Sequence, residues 1–357
     1  MYIIIGIGAY MDLWNKQIQI TSKILKLISE LDEFKGSWLA LGQLAPEKLS
    51  SLKKVATIES VASSTRIEGV KLSDSEVKAL LSGLNITSLK NRDEEEVVGY
   101  AEVMGLIYES SSDIIPNENS IKQLHQTLLK FSSKDTRHRG EYKKLSNNIE
   151  AFGTDGKSLG VIFETTTALE TPYKMKSLIN WYLDENSETH ELIKICTFVV
   201  SFLAIHPFQD GNGRLSRALT SLLLLRANYD YTPYSSLERV IEENKDFYYL
   251  KLREAQTEGA DSNTGLASWI TFFLECLVKQ KESLKRKVER ENILKSLPKL
   301  SEQILILLKE HEKLSTGELV KLTGANRNTV KSHIYSLVEN NDVQKAGQGK
   351  GTYYFIS

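Results

Sequence analysis

The chain has 357 residues, 41% apolar and 25% charged, the balance of an ordinary soluble globular protein with two or three domains. A formal net charge of −1 excludes a polycation that binds nucleic acid over its whole surface, so any such binding must come from a local patch. Two cysteines only, Cys196 and Cys276, both in apolar helical pattern, exclude a disulfide framework and point to a reducing compartment, the cytoplasm.

The opening run MYIIIGIGAYMDLW is too short to cross a bilayer and lacks a basic leader, so no membrane segment is expected. It reads as a leading strand or extension, with Met11 as an alternative start. Gly6 and Gly8 lack the third glycine and the following helix of a dinucleotide fingerprint. Helical periodicity begins at 16–34, where Ile18, Ile20, Ile24, Leu27, Ile28 and Leu31 share one face. A second helix over 46–61 opens at Pro46, a residue suited to a first turn. The segment SSTRIEGV at 63–70 puts Ser64 and Glu68 on one helical face, with Gly69 as the stop. A helix over 74–83 takes Ser73 or Asp74 as its cap and ends at Gly83. Residues 94–110 form a helix behind an acidic opening, Asp93 to Glu96, which suits the positive end of a helix dipole.

After a helix at 119–131 the pattern changes. The run SLGVIFETTTALET at 158–171 holds Val161, Ile162, Phe163 and three threonines, with Gly153, Gly156 and Gly160 before or within it, so a β-hairpin inserted into a helical domain is expected. Helices follow at 174–185, 190–205, 213–228, 243–256 and 265–295, the last reached through a loop at 257–264 and carrying Lys285-Arg286-Lys287. Pro298 ends it. Beyond lies a different unit: helices at 301–311, 315–322 and 326–339, then short strands near 343–346 and 352–356 with Gly347, Gly349 and Gly351 between them, the order of a winged helix-turn-helix.

Residues 206–217, HPFQDGNGRLSR, concentrate the chemistry. A glycine-rich turn at Gly211, Asn212 and Gly213 leads into a helix N-terminus, so several backbone N–H groups and the helix dipole point at one place, an anion site. Arg214 and Arg217 lie on one helix face and can grip separate phosphates with forked donors. Asp210 supplies the hard oxygen ligand that magnesium takes alongside phosphates. His206 has an ordinary pKa near 6.5, suited to a general base.

The string resembles the signature of the Fic family, HPFx[DE]GNGRxxR, at His206, Pro207, Phe208, Asp210, Gly211, Asn212, Gly213, Arg214 and Arg217. The resemblance implies a mainly α fold: a Fic helical core with a β-hairpin flap, followed here by the small C-terminal winged helix-turn-helix domain. It implies transfer of AMP from ATP, with Mg²⁺, to a Ser, Thr or Tyr hydroxyl of a target protein. His206 would deprotonate that hydroxyl, Asp210 would hold Mg²⁺, the Gly211–Arg214 turn would cradle the α- and β-phosphates, and Arg217 would contact the γ-phosphate. The 63–70 pattern resembles the family's inhibitory helix, [ST]xxxE[GN], which implies that Ser64 and Glu68 restrain the site by pairing Glu68 with Arg217. In the flap, Phe163, Glu164, Thr165 and Thr166 would line the adenine side. Tyr248 and Tyr249 with Leu252 and Ala255 resemble the family's YYxxLxxAN segment of nucleotide contacts, with Gln256 replacing the asparagine.

The expected organisation is an N-terminal helical region at 1–90 carrying the inhibitory helix, a catalytic core at 91–264, a connecting helix at 265–299 and the winged helix at 300–357. Over 299–357 eight Lys/Arg stand against six Asp/Glu, with Arg327, Lys331 and His333 at the recognition-helix position and Lys345 and Lys350 on the wing. Asn326, Asn328 and Thr329 are placed to cap that helix or to touch bases or phosphates. DNA binding and protein docking or homodimerisation both stay open for this unit. Two other readings of the whole chain stay open beside AMP transfer: removal of AMP from a modified target at the same site, and a nucleotide-sensing, DNA-binding regulator.

Overall fold

The structure is a computed structural model that describes residues 12–16, 18–40, 46–83, 89–152, 158–256, 262–296, 298–340 and 342–356. The leading extension with Gly6, Gly8 and Met11, the glycines Gly153 and Gly156, and most of the 257–264 loop lie outside them. Two compact units divide the chain, residues 1–284 and 285–357.

The first unit contains α1 (Ser22–Ala40), α2 (Pro46–Ile67), α3 (Asp74–Ser82), α4 (Arg92–Ser110) and α5 (Glu118–Leu128), then β1 (Ile149–Phe152) and β2 (Ser158–Phe163). After these come α6 (Thr171–Tyr182), α7 (Glu191–Ile205), α8 (Asn212–Arg226), α9 (Leu237–Glu243), α10 (Lys245–Gln256) and α11 (Ser262–Ser296), whose last turns belong in sequence to the second unit. Its centre is α7, apolar around its whole circumference, with Leu192, Ile195, Phe198, Val200 and Phe202 all buried. It packs against α6 and α8, while α2 packs against α4, α8 and α9. Gly99 lets α4 approach α5, because a Cβ there would collide with the Leu128 carbonyl.

Local signals explain most helix ends. Ser73 and Glu76 form a capping box at α3, Asn91 accepts from Glu94 N at α4, and Asn117 accepts from Ser120 N at α5. Four expectations need correction. Helix α1 starts at Ser22 and not at 16, because Lys16 belongs to a preceding turn and the Thr21 hydroxyl accepts from Ile24 N. The 46–61 helix and the 63–70 segment are one helix, α2. The hairpin pairs β2 with the earlier strand β1, Ile149 opposite Phe163, and residues 164–170 are not strand. The 243–256 helix is α10, which starts at Lys245, and a short helix that was not expected, α9, precedes it; the two are divided at Asn244, whose side chain donates to Val240 O while its backbone carbonyl accepts from Tyr248 N. Both cysteines are free and buried, and burial pushes the Cys276 thiol up to about 12 and Cys196 higher still. No helix among the described residues is long and apolar enough to cross a membrane.

The second unit runs α12 (Lys299–Glu310), β3 (Leu314–Ser315), α13 (Thr316–Thr323), α14 (Arg327–Glu339), β4 (Gln344–Ala346) and β5 (Tyr353–Phe355), with an antiparallel sheet in the order β3-β5-β4. Helix α13 opens on a Ser315–Glu318 capping box and stops at Gly324, φ +68°. Ile304, Leu308, Leu319, Val330, Ile334, Leu337 and Tyr354 form a core of its own.

Candidate active site

Helix α7 ends at His206, whose backbone adopts the left-handed region at φ 53°, ψ 58°. A side chain there costs about 1–2 kcal/mol, so the surroundings must hold it. They do. Lys143 N donates to Pro207 O (2.8 Å), and Asn147 Nδ2 donates to His206 O (3.1 Å) and Phe208 O (2.7 Å). The Asn212 amide closes the other side, donating to Phe208 O (2.7 Å) and accepting from Phe208 N (2.9 Å). The buried Phe208 ring stacks on His125 at 3.8 Å. His125 Nδ1 accepts from Gly140 N (2.9 Å), which leaves Nε2–H to donate to Asp210 O (3.0 Å). Burial lowers the pKa of His125 to about 4, so it acts as a neutral strut.

The turn Gly211–Asn212–Gly213 then starts α8, with Gly211 at φ +81°. Its N-terminus opens on a cleft of about 340 Å³ walled by His206, Asp210, Arg214, Arg217, Arg92, Glu96, Tyr248, Tyr249 and Leu252. Both the N-terminal dipole and the arginines make this cleft a place for negative charge. That place holds the Glu68 carboxylate: a Cβ built on Gly213 would collide with Glu68 Oε1. Glu68 sits just past the end of α2, where Gly69 turns the chain at φ +105°. Arg217 NH2 donates to Glu68 Oε1 (2.8 Å) and to Ser64 O (2.9 Å), and Arg217 Nε donates to Ser64 Oγ (2.8 Å). Burial pushes the Glu68 carboxyl up, but Arg217, then Arg214 and His206, outweigh it and leave its pKa below the ordinary value. Glu68 is therefore a carboxylate at neutral pH. Burial opposes the Arg217 charge, and Glu68 more than offsets it, raising its pKa.

His206 Nδ1 lies 3.3 Å from Leu203 O, which can only accept, so Nδ1 carries the proton and Nε2 keeps its lone pair. Burial first, then the nearby Lys143 cation, lowers the imidazole pKa to about 4. Asp210 accepts from its neighbour Gly211 N (2.6 Å), from Arg92 (3.1 Å) and from Arg214 (3.4 Å). Arg214 also pairs with Glu96 (2.9 Å), and Arg92 Nε donates to the same carboxylate (2.6 Å).

The structure thus brings His206, Asp210, Gly211, Asn212, Gly213, Arg214, Arg217, Glu68, Tyr248 and Tyr249 to one cleft, with Ser64 directly behind Arg217. Gln256 does not join them. It is buried further along α10, and its amide nitrogen has no hydrogen-bond partner. Phe163, Glu164, Thr165 and Thr166 are not on the cleft wall either. Thr165 is buried and its hydroxyl meets Lys143 Nζ (2.9 Å) and Asn147 Oδ1 (2.8 Å). Sequence reasoning missed Arg92, Glu96, His125, Lys143 and Asn147. The i, i+4 spacing of Arg92 with Glu96 on α4 was the only local signal.

Residues 115–224 match the Fic/DOC family. Among curated proteins, the chain is 27% identical over 207 residues to a protein adenylyltransferase Fic of Drosophila yakuba, covering 57% of this chain and 38% of that protein. It is 32% identical over 102 residues to a probable protein adenylyltransferase of Aquifex aeolicus, covering 28% of each. The chain therefore spans well under half the length of these relatives. Among solved structures, a Fic family protein from Desulfovibrio desulfuricans G20 superposes with TM-score 0.60 at 24% identity, over 96% of this chain and 98% of that one. Fic-1 from C. elegans gives TM-score 0.59 at 18% identity, over 76% and 73%. Those likenesses carry the fold, and the stretch at 115–224 that matches the Fic/DOC family contains the whole HPFQDGNGRLSR string.

Proposed function

We propose that the chain is a protein adenylyltransferase, restrained by its own Glu68, that moves AMP from ATP to a hydroxyl of a target protein. The observation that carries this reading is the Glu68 carboxylate seated over Gly213 and paired with Arg217. A carboxylate is a poor imitation of a phosphate, but it uses the same helix N-terminus and the same guanidinium. With Glu68 withdrawn, those donors are left to a polyphosphate. His206, neutral and with Nε2 free to accept, would take the proton from the Ser, Thr or Tyr hydroxyl. That oxygen would bond to the α-phosphorus as the bond from the α-phosphorus to the bridging oxygen breaks, and pyrophosphate would leave. Positioning and fixed positive charge would supply most of the rate, as in other phosphoryl transfers.

Asp210 fits magnesium brought in by the nucleotide. It is partly exposed on the cleft wall, and one carboxylate plus phosphates is a usual magnesium set; no cluster of three metal-binding side chains exists among the described residues. Bound there, the ion would neutralise phosphate charge. Tyr248 and Tyr249 would flank the nucleoside. For the second unit the reading is a winged helix that meets DNA, supported by the exposed Arg327, Asn328 and Lys331 on α14 and Lys345 on β4. A reducing cytoplasm suits the two free cysteines.

The test uses ATP labelled at the α- or the γ-phosphate. Glu68→Gly should incorporate α-label into protein at least about tenfold faster than the unaltered chain, and no γ-label. Glu68→Gly with His206→Ala should lose transfer. Incorporation of γ-label, or α-label that survives the His206 change, contradicts the reading.

A further inference from the structure

We propose that Lys143 is a positioning residue for His206, clamping the left-handed turn that carries the imidazole and placing one fixed positive charge beside it. The inference rests on the reading of His206 as the proton acceptor in hydroxyl transfer, and it adds a residue outside the HPFQDGNGRLSR string.

Lys143 is 3% exposed. Its ammonium donates to Ile205 O (3.0 Å), Asn147 Oδ1 (2.7 Å) and Thr165 Oγ1 (2.9 Å), so all three protons are used. None of these acceptors is a carboxylate. Its backbone N holds Pro207 O, and Asn147, four residues along the chain, holds His206 O and Phe208 O. Four successive carbonyls, from Ile205 to Phe208, are therefore bound by Lys143 and Asn147 together. That grip is centred on the one non-glycine residue in the cleft with positive φ. Thr165 ties the exit of β2 to the same point, its N–H donating to Asn148 Oδ1 (3.1 Å) and its hydroxyl to Asn147 Oδ1 (2.8 Å).

Packing alone does not account for the ammonium. An apolar side chain of similar length would avoid the desolvation of a buried cation. What the charge adds is electrostatic. The charged groups that act on His206 are Lys143, Glu68 and Asp210. The two carboxylates favour a protonated imidazole, and Lys143 opposes it. Burial is the larger cause of the ring's neutrality, and Lys143 adds to it against the two carboxylates. Burial brings the Lys143 ammonium itself down to about 8, so it is charged at neutral pH and loses its grip above that.

The experiment uses the full chain carrying Glu68→Gly, with Lys143→Met and Lys143→Arg added separately. Lys143→Met should lower kcat for AMP transfer at least about tenfold while changing KM for ATP by no more than about twofold, because Lys143 does not line the cleft. Histidine-selective nitrogen NMR should show the His206 midpoint rising from about 4 toward the ordinary value near 6.5. Lys143→Arg, whose charge persists to pH ~12, should recover most of kcat and remove the loss of rate that the unsubstituted lysine gives above pH 8. The proposal is overturned by an unchanged kcat in Lys143→Met, by a rise in KM with kcat intact, or by a His206 midpoint that does not move. If Lys143→Met fails to fold, Lys143→Gln takes its place, and an unmoved midpoint with unmoved kcat overturns the proposal. Absence of AMP transfer from every variant defeats the proposed function instead, and the His206 midpoint still decides the clamp.

Discussion

Gly213 and Glu68 meet at the one point where a missing side chain and a misplaced carboxylate explain each other. The backbone at Gly213 is bare so that an anion can come close, and the anion seated there belongs to the protein. In Glu68→Gly that space should open to phosphate. Gly213→Ala in the same background should close it again, weakening the calorimetric Kd for Mg–ATP at least about tenfold, or ~1.4 kcal/mol. An unchanged Kd would mean that phosphate sits elsewhere. At this scale the sequence was informative wherever chemistry is contiguous. The string from His206 to Arg217 could be read because its residues are neighbours in the chain as well as in space. His125 could not be read, since its role depends on a carbonyl 85 residues away. Phe163 to Thr166 lay in a flap whose register the sequence alone did not settle, and Gln256 stands where the family pattern has a shorter asparagine.

In the proposed function helix α2 is the element on which restraint would depend, and its C-terminal end is fastened from outside. Arg66 reaches Glu242 through Nε (2.6 Å) and NH2 (2.9 Å), and Asp74 through NH1 (2.9 Å). Lys245 donates to Ile67 O (2.7 Å), one of the carbonyls left over at the helix end. These contacts fix where Glu68 can go. Arg66→Ala should therefore raise basal α-label incorporation several-fold, to a level below that of Glu68→Gly, with a lower melting temperature. Incorporation no higher than that of the unaltered chain would separate the Arg66 cluster from the restraint. Element types were mostly legible, since periodicity and caps are local. Boundaries were less so. The continuity of α2 through Ile67 was hidden by its serines and threonines, and the first strand of the hairpin by a short, polar-flanked run at 149–152. Asn244 breaks α9 from α10 without a glycine or proline to announce it.

Across the whole molecule, two units each own a core, one built around α7 and the other around Ile304, Leu319 and Ile334. The order of elements in the second unit was readable because each is short, capped and punctuated by glycine. The first unit's central helix was readable because it is apolar all round. What the sequence withheld is the pairing of distant residues: Glu68 with Arg217 came only from a resemblance, and Lys143 with His206 not at all. AMP transfer at this cleft requires a triphosphate to take the seat that Glu68 occupies. Isothermal titration of Mg–ATP into the full chain measures this directly. Glu68→Gly should bind with a Kd of roughly micromolar order and more tightly than the unaltered chain; no heat of binding from the folded Glu68→Gly protein would contradict the account.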